Sequence, residues 1–111
     1  MKKGEIWIVN LNPIKGSEQA RKRPVLIVSG NLLNKYSPVV WVCPLTTKIK
    51  NYKGDFVLKP TSENGLSKIS EVLTLHLRSI SKDRLEKKLG VIPIKELETV
   101  RNSVEEILRM D

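Results

Sequence analysis

The sequence contains one cysteine, Cys43, and one histidine, His76, among its 111 residues. A lone cysteine cannot form a disulfide within the chain, and neither residue has neighbours at the spacing of a metal site. Aromatic residues make up only 5% of the chain, but hydrophobic residues make up 40%, so valine, isoleucine and leucine can build a core. These scarcities argue against a disulfide scaffold and a zinc site, and they predict that Cys43 is a small core residue.

Long hydrophobic runs and nucleotide-binding motifs are missing as well. The first apolar run covers only Ile6 to Val9, which is too short for a signal peptide, and no run approaches the roughly 20 residues of a membrane span. There is no glycine-rich phosphate loop and no serine elbow. We therefore expect one cytoplasmic domain over residues 1–111, with no membrane association, no metal and no cofactor.

Basic residues are abundant, and their distribution is uneven. The chain carries 20 Lys and Arg against 12 Asp and Glu, a net charge of +8. Residues 1–92 hold 17 basic and 7 acidic side chains, whereas residues 93–111 hold 3 and 5. A basic domain of this size is typical of proteins that bind nucleic acid or an acidic protein segment. Charge alone does not choose between these partners, but it assigns the anion-binding surface to the first four fifths of the chain.

Apolar runs bounded by Pro, Gly and Asn predict a mainly β protein with some α. Alternation in the last of these runs predicts one strand with His76 and Arg78 on the same face. The periodicity after Pro93 predicts a C-terminal helix. Together these elements predict a small β-barrel with an added helix. The predicted strands cover residues 5–10, 24–29, 39–42 (stopped at Pro44), 56–58 and 71–80, with a helical turn at 32–36 and a short helix from Ser81 through Lys88 that ends at Gly90.

A polar segment with clustered charges precedes the second strand. Arg23 lies next to the rigid ring of Pro24 at the start of that strand, where its guanidinium could hold two phosphate oxygens. A solvated basic turn would produce the same cluster. Glu18 lies among the cations and could accept a proton or orient an arginine.

A second group of polar residues follows the third strand. The hydroxyls of Thr46 and Thr47 could donate to a phosphate or cap the turn. Lysines with Tyr52 between them could form a nucleic-acid track or a solubilising loop. His76 is either structural or a proton carrier near neutral pH. If the protein is an enzyme, the absence of metal ligands leaves a metal-free reaction on a phosphodiester, which RNA makes feasible because its own 2′-hydroxyl can act as nucleophile.

The order and spacing of these residues resemble the MazF/PemK (Kid) family of toxin endoribonucleases from type II toxin-antitoxin systems. The resemblance implies an SH3-like barrel with a C-terminal helix and a homodimer. It also implies metal-independent, sequence-specific cleavage of single-stranded mRNA that leaves 2′,3′-cyclic phosphate and 5′-hydroxyl ends and inhibits translation and growth. The matching segments are residues 4–7 (GEIW), 11–13 (LNP), 16–20 (GSEQA), 23–25 (RPV), 28–29 (VS) and 44–47 (PLTT).

The resemblance also implies roles for individual residues. Arg23 is expected to be the principal catalytic group and Thr46 its partner at the scissile phosphate, with Glu18 and His76 as further catalytic or loop residues. Because arginine has a pKa above about 12 in proteins, we expect Arg23 to stabilise charge, and the proton carrier stays open among Glu18, His76, water and an atypical Arg23. Leu75 stands where several relatives carry an acid. The predicted RNA-binding residues are Ser17, Gln19, Arg21, Lys22, Thr47, Lys48, Lys50, Tyr52, Lys53 and Arg78.

The expected protein partner is a MazE-like antitoxin with an acidic, disordered C-terminal segment. Dimerisation through the terminal helix would involve Leu97, Val100, Val104 and Leu108, although packing within one chain explains the same stripe. Two alternatives remain at this point. One is a CcdB-like gyrase-binding toxin without nuclease activity, which the lack of any Trp after Trp41 argues against, and the other is an RNA-binding module without catalysis.

Overall fold

The computed structural model of the chain describes residues 1–10 and 22–110. Most of these residues form antiparallel strands, and the longer of two helices lies at the C-terminal end. The mainly β fold with a C-terminal helix is therefore confirmed. The elements are β1 Glu5–Asn10, β2 Lys22–Ile27, α1 Asn31–Tyr36, β3 Val39–Thr46, β4 Phe56–Leu58, β5 Ser70–Val72, β6 Arg78–Ser81, β7 Leu85–Val91 and α2 Ile94–Leu108, with 3-10 turns at Thr74–His76 and Lys82–Arg84.

The sheet is organised around β3, its longest strand. The strand order is β4-β5-β3-β2-β1-β7, and β6 pairs with β3 beyond the end of β5. One edge of β3 pairs with β2, and its other edge pairs first with β6 and then with β5. As a result, β3 carries its last residue, Thr46, from the centre of the sheet to the place where the chain enters the basic loop of residues 47–55.

The two faces of the sheet bury different apolar clusters. Leu26 packs in the cluster that α2 covers, whereas its neighbours Val25 and Ile27 belong to the cluster on the opposite face. Such burial on both faces explains why β2 is continuously apolar, as its sequence predicted. In α2, Leu97 and Val100 are 1% and 0% exposed, so they belong to the core of this chain and are unavailable to a dimer partner. Cys43 is a buried core residue, as predicted, and burial raises the pKa of its thiol to about 12.

The prediction of one strand over residues 71–80 is wrong, and so is the expected end of β3 at Pro44. β3 continues through Pro44, which pairs with Val25 on the β2 side. Proline has no N–H to donate to a ladder on the other edge. Opposite Cys43 and Pro44, the five residues 73–77 leave the sheet and form the 3-10 turn that separates β5 from β6. The Leu73 N–H still donates to the Pro44 carbonyl at 2.8 Å, which keeps the turn against β3.

The predicted helix from Ser81 through Lys88 is also wrong. The Ser81 hydroxyl does accept a hydrogen bond from the Asp83 N–H, but it caps only one 3-10 turn. From Leu85 the chain forms β7 because it pairs with β1, a tertiary interaction that overrides helix propensity. Gly90 is part of this strand and does not stop it. A Cβ at Gly90 would overlap the Glu63 carbonyl oxygen, so the close approach of this segment requires glycine.

No helix in the described part of the chain is long and apolar enough to cross a membrane.

Candidate active site

An open pocket of about 630 Å³ lies where β2, β3, the basic loop of residues 47–55 and the 3-10 turn at Thr74–His76 meet. The polar side chains of this pocket come from segments that are far apart in the sequence. All six polar lining residues were predicted as site residues from the sequence. The lining residues are Arg23, Pro44, Thr46, Lys48, Lys50, Leu73, Leu75, His76 and Arg78.

Arg23 is held by the start of β2. Its backbone pairs with Val9, and the neighbouring Pro24 pairs with Ile8, so β1 fixes the position of both residues. The Arg23 side chain is exposed and makes no ion pair in the described part of the chain. A guanidinium on a fixed strand with all its donors available is well suited to bind two oxygens of one phosphate.

Thr46 ends β3 and begins the basic loop. Its backbone pairs with Glu71 of β5, and its hydroxyl oxygen accepts a hydrogen bond from the Lys48 N–H at 3.1 Å. A hydroxyl can accept and donate at the same time. Because the Lys48 N–H occupies an acceptor position, the hydroxyl proton of Thr46 remains available to a ligand in the pocket. The two functions considered for this threonine, turn cap and phosphate donor, are therefore compatible.

His76 and Arg78 reach the pocket by different routes. His76 closes the 3-10 turn, and its N–H donates to the Leu73 carbonyl at 3.1 Å. Arg78 begins β6 opposite Val42. Both residues line the same pocket. The prediction that they lie on one face of a single strand is wrong, because only Arg78 belongs to a strand. The 3-10 turn also exposes Leu75, which is 59% accessible at the pocket wall.

The charges in this pocket have one sign. Arg23, Lys48, Lys50 and Arg78 line it together with His76, and no carboxylate is among the described lining residues. Several other basic groups are paired with acids, as Lys22 is with Glu86 at 3.1 Å. Unpaired cations that face one concave surface create a positive potential that attracts phosphate.

The other predicted RNA-binding residues fall into two groups. Lys22, Thr47, Tyr52 and Lys53 are exposed but do not line the pocket. Ser17, Glu18, Gln19 and Arg21 lie outside the described residues. The apolar wall formed by Pro44, Leu73 and Leu75 was not predicted as part of the site, because its signal in the sequence is that of ordinary strand residues.

Two acids behind the pocket were missed by the sequence analysis. Glu71 is fully buried on β5, and Asp55 ends the basic loop. Hydrogen bonding from the Asp55 carboxyl and from the backbone of residues 50–52 holds the pKa of Glu71 well below its ordinary value. Burial, followed by the interaction with Glu71, raises the pKa of Asp55. The two acids therefore influence each other's protonation, and Glu71 is the one whose charged form is favoured.

Within residues 1–10 and 22–110, no three His, Cys, Asp or Glu side chains are grouped closely enough to hold a metal ion.

An antiparallel β fold covered by a C-terminal helix, with a cationic pocket that contains arginine and threonine donors, is typical of a small protein suited to the phosphate groups of a polyanion. Residues 2–108 match the family model described as "PemK-like, MazF-like toxin of type II toxin-antitoxin system". The chain belongs to this family.

Individual relatives are similar over nearly the whole chain. An endoribonuclease MazF from Staphylococcus saprophyticus is 35% identical over 106 residues, which cover 95% of this chain and 88% of the relative. The crystal structure of MazF from Deinococcus radiodurans is 29% identical with a TM-score of 0.79, and the match covers 99% of this chain and 97% of that one. A MazE-MazF structure from the same organism is 28% identical with a TM-score of 0.80, covering 100% and 97% of the two chains.

Proposed function

We propose that this chain, an endoribonuclease of the MazF-like toxin family, binds single-stranded RNA in the basic pocket and cleaves it without a metal ion. The observation that carries this proposal is the convergence of Arg23 and Thr46 on one pocket with four cations and no carboxylate among the described lining residues. The similarity to the endoribonuclease from S. saprophyticus supports the same reaction.

In the proposed reaction the 2′-oxygen of the substrate attacks the adjacent phosphorus. A bond forms between the 2′-oxygen and phosphorus, and the bond from phosphorus to the 5′-oxygen breaks. The products are a 2′,3′-cyclic phosphate and a 5′-hydroxyl, and no water is consumed. Negative charge grows on the phosphate oxygens during the attack, and the Arg23 guanidinium and the Thr46 hydroxyl are the donors that stabilise it.

Two proton transfers complete the reaction. The 2′-hydroxyl loses a proton, and the departing 5′-oxygen gains one. We assign a proton-transfer role to His76, because imidazole can donate or accept a proton near neutral pH and no carboxylate is among the described lining residues. Lys48, Lys50 and Arg78 bind neighbouring phosphates and transfer no proton in this scheme.

The test is cleavage of a fluorescent single-stranded RNA in the presence of EDTA, with the product ends identified by mass spectrometry. Arg23→Ala should lower kcat at least about 100-fold, the loss expected for a transition-state donor. Arg109→Ala is the matched control, because Arg109 is an exposed arginine at the far end of α2. An RNA with a 2′-deoxy nucleotide at the cleavage position should stay intact.

The outcomes separate the possible functions. Cleavage that depends on Arg23 and on the 2′-hydroxyl supports the nuclease. RNA binding without cleavage would indicate a binding module, and the absence of both would leave a toxin that acts on a protein, as in the gyrase-binding alternative. Full activity of a folded Arg23→Ala variant would remove Arg23 from the mechanism.

We further propose a cytoplasmic homodimer of single-domain chains that is neutralised by an acidic antitoxin segment. An apolar groove of about 300 Å³ between β3 and α2 is the surface we assign to the second copy, with Trp41 and Leu108 44% and 73% exposed beside it. Of the predicted helix residues, Val104 and Leu108 line this groove. Leu108→Glu should therefore disrupt the dimer and lower the mass measured by light scattering to that of one chain.

The proposal of an antitoxin partner is supported by the MazE-MazF structure of the D. radiodurans relative.

A further inference from the structure

Glu71 is a fully buried acid that the proposed reaction does not use. It occupies the middle position of β5, where its backbone pairs with Thr46 of β3 on one side and Val57 of β4 on the other. A buried carboxylate is costly unless it is paired or hydrogen bonded. Its partners therefore show what the residue does.

The partners of Glu71 are backbone N–H groups of the basic loop. One carboxylate oxygen accepts from Lys50 at 2.5 Å and from Asn51 at 3.0 Å, and the other accepts from Tyr52 at 3.3 Å. Asn51 has a φ of 54°, in the left-handed region. Successive N–H groups in such a conformation form an anion-binding concavity. In this protein the anion in that concavity is the chain's own Glu71.

Asp55 extends the same network to the other side of the pocket. Its Oδ1 accepts from the Thr74 N–H at 3.1 Å and from the Thr74 hydroxyl at 3.0 Å. Thr74 begins the 3-10 turn that ends at His76. Asp55 Oδ2 is buried and has no hydrogen-bond partner in the described part of the chain. Glu71 thus holds the part of the loop that bears Lys50, and Asp55, at the end of the same loop, holds the turn that bears His76.

We propose that Glu71 is a positioning residue for the substrate: it fixes the backbone of residues 50–52 so that Lys50 is held at the pocket that His76 also lines. The inference rests on the proposed function, since it assigns a role in RNA binding by the same pocket. Because the Lys48 N–H is bound to Thr46 and the Lys50 N–H is bound to Glu71, these two lysines reach a phosphate through their ammonium groups.

The kinetic test is Glu71→Ala. Loss of the anchor should raise KM for a short RNA about tenfold or more while kcat stays within about threefold, because substrate placement is affected and the transition-state donors remain. Glu71→Gln keeps a carbonyl oxygen for the loop N–H groups and should restore most of the affinity. Val40→Ala is the control for general destabilisation, because Val40 is fully buried in the opposite cluster at the far end of β3.

A double-mutant cycle tests whether Glu71 acts through Lys50. Lys50→Ala should raise KM in the wild-type background and have little further effect in Glu71→Ala, since the lysine is already displaced. Fully additive effects would overturn the proposal. A KM increase in Val40→Ala equal to that in Glu71→Ala would overturn it as well, because the effect would then be one of stability.

Hydrogen exchange measured by NMR gives a readout that needs no activity. The amides of residues 50–52 should be protected in the wild type and in Asp55→Asn, which keeps Glu71, and they should exchange rapidly in Glu71→Ala. Fast exchange of these amides in the wild type would overturn the proposal even if Glu71→Ala fails to fold. If the wild type cleaves no RNA while the amides are protected, the proposed function fails, and Glu71 orders the loop without positioning this substrate.

Discussion

Replacing Thr46 with valine separates a catalytic role of its hydroxyl from a structural one. Valine has nearly the same shape as threonine but lacks the hydroxyl, so the variant loses the acceptor of the Lys48 N–H and the donor that faces the pocket. The first loss concerns folding, because it removes one hydrogen bond at the start of the basic loop. The second concerns only the reaction.

The structural cost can be estimated from the surroundings of the hydrogen bond. Lys48 is exposed, so its N–H can bind water once Thr46 is replaced, and the net loss is about 0.5–1.5 kcal/mol. For a domain of about 100 residues, 1 kcal/mol corresponds to a decrease of about 4–8 °C in Tm. A typical domain has a stability of about 5–15 kcal/mol, so nearly all molecules of the variant stay folded.

The catalytic cost should be much larger. Removing one donor to a phosphate that gains charge is expected to lower kcat about 100- to 1000-fold, or roughly 2.7–4 kcal/mol. Unfolding could produce a 100-fold loss only if the folding free energy became unfavourable by about 2.7 kcal/mol, which requires a loss several times larger than one hydrogen bond.

The measurement is kcat for a fluorescent single-stranded RNA alongside a thermal melt of each variant. Thr46→Ser keeps the hydroxyl and should retain kcat within about tenfold of the wild type. If Thr46→Val remains folded with kcat within about threefold of the wild type, the hydroxyl is not a transition-state donor and the assignment of Thr46 is refuted.

Three further predictions follow from charge and burial. RNA affinity should fall as salt rises, and Arg78→Ala should reduce the slope of log K against log salt by about 0.7, which filter binding at several NaCl concentrations can measure; an unchanged slope would remove Arg78 from the phosphate contacts. Asp55 is close to Glu71 and to the Cys43 thiol, and its pKa is raised in the folded protein. Protonation of Asp55 therefore stabilises the fold fully at pH values below the ordinary aspartate pKa, and this stabilisation is lost as pH rises through the raised pKa of the folded state. As pH rises through this interval, the Tm of Asp55→Asn should therefore increase relative to that of the wild type, and equal pH dependence of the two proteins would contradict the raised pKa of Asp55. Leu97→Ala should cost about 2–5 kcal/mol in urea unfolding, because Leu97 is almost completely buried under the sheet, whereas a loss below about 1 kcal/mol would contradict its place in the core.

The sequence predicted those elements whose structure is determined by local pattern. β1 and β4 were predicted with their observed bounds, and α1 and α2 were predicted to within a residue or two. In these segments hydrophobic periodicity and the flanking Pro and Gly residues agree with the tertiary contacts. Arg23 and Thr46 were likewise predictable as site candidates. Arg23 precedes Pro24 at the start of one predicted strand, and Thr46 follows Pro44 just after another.

Elements that depend on distant partners could not be predicted in the same way. The 3-10 turn at Thr74–His76 forms because the chain opposite Pro44 cannot continue a regular ladder, and those residues lie some 30 positions apart in the sequence. The segment after Ser81 has a good helix cap, but it becomes β7 because β1 offers an unpaired edge. In both cases the pairing partner decides the structure, and periodicity within the segment carries no information about that partner.

Glu71 shows why the full site was not visible in the sequence. A glutamate in an apolar strand is expected to be exposed, and only the fold reveals that it is fully buried against backbone N–H groups.

The hydrogen bonds of Glu71 to the loop affect how the protein recognises phosphate. A loop with free N–H groups could hold phosphate by neutral hydrogen bonds, but in this protein those of Lys48, Lys50, Asn51 and Tyr52 are bound internally. Phosphate contacts from Lys48 and Lys50 therefore come from their ammonium groups, so affinity should depend strongly on salt and on the anchor that places the lysines.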